Sequence, residues 1–148
     1  MVYLFIVAAG LLVAMQAGSN ATLDKNLHHP ILSSLVSFGS GVAALLLALA
    51  VYTAITKAPM PKLQQWTAVP WWGWIGGTLG AVYVLSAVLT AEKVGSGMFV
   101  GLSVTASILA SLVIDHFGLL GFHRHAAGPG RIIGGGLMVA GMILIGKS

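Results

Sequence analysis

Gln16 and Asn20 stand four residues apart in an apolar run that begins at Met1 and meets no charge until Asp24. On a helix that spacing puts both carboxamides on one face. At least Gln16 is expected deep in the run, where an unbonded amide costs roughly 2–7 kcal/mol. The pair must therefore face protein, water or a ligand. Two uses fit equally: hydrogen-bonded recognition of a polar substrate, or a contact between two copies of the helix. The run holds no Asp or Glu before Asp24, so carboxylate-driven proton exchange centred on it has no support.

Other polar side chains recur at helical spacing. Ser33, Ser37 and Ser40 follow at i, i+4 and i+7, while Ser103, Ser107, Ser111 and Asp115 follow at successive fours. Such ridges either bond back to carbonyls of their own helix at helix contacts or wall a polar cavity. Ser33, Ser37, Ser103 and Ser107, together with Tyr83, are secondary substrate-binding candidates. Asp115 either pairs with Arg124 or Arg131 near the membrane surface or takes part in ion coupling. His116, His123 and His125 cluster with Arg124, but "HRH" alternates around a cation and lacks metal-ligand spacing. A loop contacting lipid headgroups is the better reading. No metal site, cofactor or nucleophile–base pair is expected, and hence no enzyme.

The elements that must hold these residues follow from composition. The chain has 148 residues, 57% apolar and only 7% charged, against about 25% charged in soluble domains. Its mean hydropathy is +0.97. It is an all-α integral membrane protein whose first partner is the lipid bilayer. The net charge of +4 reflects three acids against seven Lys and Arg rather than a basic patch, so no nucleic-acid partner is indicated. There is no cysteine. The first run has no Lys or Arg before Lys25 and exceeds a signal-peptide core, so it reads as a retained span.

Uncharged stretches define five spans in one transmembrane domain over 1–148: about 2–23, 30–55, 71–91, 95–114 and 131–146. The last has 15 uncharged residues between Arg131 and Lys147. They reach about 22 Å, short of a ~30 Å hydrocarbon core, so the flanking cations must snorkel outward. "EKVGSG" makes a tight turn that pairs spans three and four as a hairpin. Trp66, Trp71, Trp72 and Trp74 crowd the entry to span three as an aromatic belt. Gly73, Gly76, Gly77 and Gly80 stripe that span, Gly97 and Gly101 follow in the fourth, and Gly134 sits in the fifth. Small residues four apart allow helices to approach closely.

Five spans put the termini on opposite sides. Lys57, Lys62, Arg124 and Arg131 then face the N-terminal side, and Lys25, Lys93 and Lys147 the other. Four against three is a slight imbalance: by the positive-inside rule it weakly favours a cytoplasmic N-terminal side, and it is nearly even enough for either orientation. Insertion both ways, with two copies pairing antiparallel, would give a ten-helix inverted repeat, the architecture of many transporters. A single cysteine introduced at Ser148 would then be labelled from both membrane faces.

Gly10, Gln16 and Asn20, "SSLVSFGSG", "PWWGWIGGTLGAVYV", "IDHFGLLGF" and "RIIGGGLMVAGMILI" together resemble the YdcZ family. This is a half-size, five-helix branch of the drug/metabolite transporter superfamily, and the resemblance covers nearly the whole chain. It implies a multi-pass protein of the bacterial inner membrane, in a branch whose members act as dual-topology homodimers, paired heterodimers or fused ten-helix chains. Related small multidrug exporters carry a glutamate in the first helix, where this chain has Gln16 and Asn20. The functional expectation is a small-molecule transporter working by alternating access as an antiparallel homodimer. The rival is a non-transporting interaction or lipid-binding accessory protein.

Overall fold

The computed structural model describes residues 1–147; Ser148, the proposed labelling position, lies outside the described residues. Among the described residues the chain is helical throughout, without strands. Its elements are α1 (Val2–Leu27), α2 (Pro30–Thr56), α3 (Leu63–Thr67), α4 (Trp71–Trp74), α5 (Gly76–Val94), α6 (Ser96–Phe117), a 3-10 turn (Leu119–Gly121) and α7 (Pro129–Lys147). Five of these, α1, α2, α5, α6 and α7, are long and apolar enough to cross a membrane.

Helix limits differ from the uncharged stretches where backbone chemistry differs from charge. α1 runs on to Leu27 and carries Asp24 and Lys25 within it. A helix satisfies its own backbone, so a charge near its end does not stop it. The third stretch is broken at Ile75, so Trp71–Trp74 forms one short turn and the long helix begins at Gly76. Gly73, Gly76 and Gly77 cluster at that break, and each weakens helix by about 1 kcal/mol relative to Ala. α7 begins at Pro129, two residues before Arg131. Proline is pre-set for a first helical turn, where its missing N–H costs nothing.

The chain divides into two compact units. One comprises Ser19–Leu89, the other Met1–Gly18 with Thr90–Ser148. In the first, a tight corner joins α1 to α2. His28 takes a left-handed conformation (φ 52°), and its N–H donates to the Asp24 carbonyl at 2.7 Å. His29 caps α2: its ring nitrogen accepts the Leu32 N–H at 3.2 Å, and Pro30 follows as the first helical residue. Farther along, α2 meets α5 where a Cβ on Gly80 would lie 3.5 Å from the Phe38 ring. Trp66 and Trp74 stack at 5.8 Å between ring centres.

In the second unit α6 and α7 pack antiparallel through glycines. A methyl group on Gly101 would stand 2.5 Å from the Met142 sulfur, and one on Gly146 would stand 2.5 Å from the Met98 methyl. Gly135 lies beneath Leu109 and Leu112, at 3.0 and 3.5 Å on the same measure. Methionine is flexible enough to fill the hollow that a glycine leaves on a facing helix.

α5 is the most enclosed span. Of its most apolar window 22% is buried, against 6% for α1 and α2, and Val84, Ala87, Val88 and Ala91 form one buried face. It also has the lowest hydropathy of the five, 1.2 against 2.1 for α2 and α6. A helix shielded by protein needs less apolar surface than one facing lipid.

Candidate functional site

The polar candidates separate by what satisfies them. Several hydroxyls are spent within their own helices: Ser40 donates to the Ser37 carbonyl, Ser107 to Val104 and Ser111 to Ser107, each at 2.8 Å. Ser37 and Ser103 are half-buried, and Tyr83 is half-buried on α5. Ser33 is different. It is wholly buried, and its hydroxyl lies 3.3 Å from Asp24 Oδ1 on α1 and 3.1 Å from the His29 carbonyl.

On α1 the two carboxamides have unlike settings. Asn20 is 5% exposed, whereas Gln16 is exposed. Gln16 lies about 2 Å along the axis from the midpoint of the Val2–Leu27 helix. Its amide is therefore exposed near the middle of a helix long and apolar enough to cross a membrane.

Asp115 is bound into the end of the α6–α7 hairpin. Its carboxylate accepts from Arg131 Nη2 at 3.2 Å, with the two side chains 24% and 44% exposed respectively. Arg124 does not join this pair; its Nε donates to the His116 carbonyl at 3.0 Å. The Asp115 carbonyl accepts the His125 N–H at 2.8 Å, and His116 Nδ1 accepts the Ala127 N–H at 3.2 Å. Left-handed turns at Gly118 and Leu120 fold the loop back onto the helix end. The cationic loop thus rests against the C-terminus of α6, where the helix dipole favours positive charge. Asp115, Arg131 and Ser111 also border a groove between α6 and α7 of about 550 Å³, floored by Gly134 and Gly135. Among the described residues no group of three or more His, Cys, Asp or Glu is placed to hold a metal.

The glycine candidates also divide. Gly80 and Gly101 lie at helix contacts, and Gly73 sits against Val69. Gly76, Gly77, Gly97 and Gly134 have nothing within 4 Å of where a Cβ would stand. Sequence reading missed Gly135, Gly146 and their methionine and leucine partners, because one glycine in "GGG" cannot be told from the next without the register of the facing helix. Charge patterning also hides Asp24, because it marks the boundary of the first uncharged span. The Asp24–Ser33 spacing of nine residues across a tight corner was the available signal.

No curated protein and no solved structure matches the chain. A family model described as "Putative inner membrane exporter, YdcZ" matches residues 1–144. With that match over nearly its full length and five helices able to cross a bilayer, the chain belongs to the YdcZ family and is a multi-pass protein of the inner membrane.

Proposed function

We propose that this protein is a small-molecule transporter that works by alternating access as an antiparallel homodimer. The observation that carries the reading is Gln16. A carboxamide near the middle of a spanning helix, exposed on the surface of the single chain, needs a hydrogen-bonding partner that lipid cannot supply. A second copy in the opposite orientation would bring its own Gln16 to a similar depth, and a polar cavity between the copies would hydrate both. The open sides of Gly76, Gly77, Gly97 and Gly134 allow another helix to approach closely. The nearly balanced cations favour insertion in both orientations. In a symmetric antiparallel dimer the inward- and outward-open states are equivalent, so exchange needs only rocking between two states of equal energy.

Met60 lies in the α2–α3 connection, 63% exposed, and the chain has no native cysteine. In Met60→Cys, membrane-impermeant maleimide should label part of the protein in intact cells and the rest only after lysis. Counterflow of a radiolabelled metabolite panel in proteoliposomes then tests transport. Labelling from one face only would overturn the antiparallel homodimer, and lack of flux across the panel would favour the accessory-protein reading.

A further inference from the structure

Asp24 is a half-buried carboxylate inside a helix of membrane-spanning character, and it has no cation paired with it among the described residues. By contrast, Asp115 is neutralised by Arg131. Lys25 follows Asp24 immediately, which turns it to a different side of the helix. An acid in such a place without a countercharge is a functional feature by default.

Its surroundings are rich in acceptors and poor in donors. The Ser33 hydroxyl lies near both Asp24 Oδ1 and the His29 carbonyl, yet it has one proton and can serve only one of them at a time. The His29 carbonyl also accepts the Ser33 N–H at 2.9 Å. The two neighbouring imidazoles are engaged elsewhere through Nδ1: His29 Nδ1 accepts the Leu32 N–H, and His28 Nδ1 faces the Asn26 carbonyl. One helical turn before Asp24, Asn20 is 5% exposed. The i, i+4 relation puts Asn20 and Asp24 on one face, with Cβ atoms about 6 Å apart. Both lie toward the C-terminal end of α1, where the helix dipole is negative.

We infer that Asn20, Asp24 and Ser33 form a binding site for a small monovalent cation. The ligands would be the Asp24 carboxylate, the Asn20 amide oxygen and the Ser33 hydroxyl oxygen, with the His29 carbonyl beside them. All are hard oxygen donors, the type that suits alkali and alkaline-earth cations. One carboxylate balances one positive charge, and a divalent ion would be left undercompensated. Asp24 lies about 14 Å along the axis from the midpoint of α1, at the rim of a ~30 Å core, so an ion could enter from the aqueous face. As a coupling-ion site this rests on the transporter reading; as a binding site it rests on the Asp24–Ser33 contact and on the helical register that puts Asn20 on the same face. The same chemistry fits an inorganic ion or a primary ammonium group on a substrate.

Binding of radiolabelled Na⁺ to the purified full-length protein tests the site without requiring transport. Saturable binding is expected, weakened at least tenfold in Asp24→Asn and Asn20→Leu, and weakened less in Ser33→Ala. Glu92→Gln, which removes an exposed acid on α5, should bind as the parent does. Competition by Li⁺ but not by methylammonium assigns the site to an inorganic ion, and competition by methylammonium extends it to substrate ammonium groups. Size-exclusion profiles matching the parent establish that the variants fold, and Ser33→Ala supplies the milder variant if the others do not. No saturable binding of Na⁺, K⁺ or methylammonium, or full binding in folded Asp24→Asn, would overturn the inference. Binding without flux would count against the transporter alone, and flux without binding would count against the cation site alone.

Discussion

The hydroxyls of Ser40 and Ser107 each lie 2.8 Å from a carbonyl of their own helix, so they make no demand on their surroundings. Ser107→Ala should therefore change stability by no more than about 0.5 kcal/mol, measured as a thermal shift in detergent. Gln16 is the opposite case, because nothing in its own helix relieves its burial in lipid. In the proposed dimer, Gln16→Leu should cut flux at least about tenfold if the amide meets a ligand, equivalent to ~1.4 kcal/mol. It should instead lower cross-linked dimer yield if the amide meets its mate. Unchanged flux together with unchanged yield would count against both roles. Arg131→Gln removes the partner of Asp115, but both side chains are partly exposed, so the pair is worth only about 0.5–1 kcal/mol. The loss should shrink in high salt and should show as faster proteolysis of the 119–128 loop.

At the scale of elements, the α6–α7 hairpin depends on glycine meeting methionine. Gly101→Val would drive a branched side chain into the Met142 thioether and should cost about 1–3 kcal/mol of thermal stability. Met142→Ala should restore part of that loss, because the two positions share one contact. Gly97→Ala meets nothing within 4 Å in the chain and should leave the hairpin intact. If Gly97 faces the second copy, the same substitution lowers dimer yield while chain stability holds. These elements were legible to different degrees. Five apolar stretches bounded by charges announced the five spans, because the bilayer imposes length and apolarity together. The break at Ile75 was hidden, since apolarity continues through Trp74 and Ile75 and only the local glycines weaken the helix. The extension of α1 past Asp24 was hidden for the reverse reason: charge marks where lipid ends, not where helical hydrogen bonding ends.

At the scale of the whole molecule, the proposed antiparallel pairing depends on cations that are divided almost evenly between the two faces. Adding three lysines to the α2–α3 connection, for instance at Ala58, Met60 and Pro61, should hold that loop on the cytoplasmic face. Such a chain alone should lose flux and show labelling from one side only. Co-expression with a copy biased the other way, by added lysines at Ser96 and Thr90, should restore flux. Retained activity in the singly biased chain would refute the need for opposite orientations.

Membrane class, the number of spans and the family were readable from the sequence alone. Composition and hydropathy report directly on the surrounding solvent, and the quoted motifs span almost the full chain. So was the demand that Gln16 and Asn20 find partners, because an amide in an apolar run carries that demand wherever the chain places it. Only the tertiary structure decided how the demands are distributed. It left Gln16 exposed and Asn20 buried, paired Asp115 with Arg131 rather than Arg124, and folded Ser33 back onto Asp24. Those outcomes depend on the register between helices and on one left-handed residue at a corner, His28. Helical periodicity places a side chain on a face of its own helix, but which neighbour that face meets is set by packing between elements.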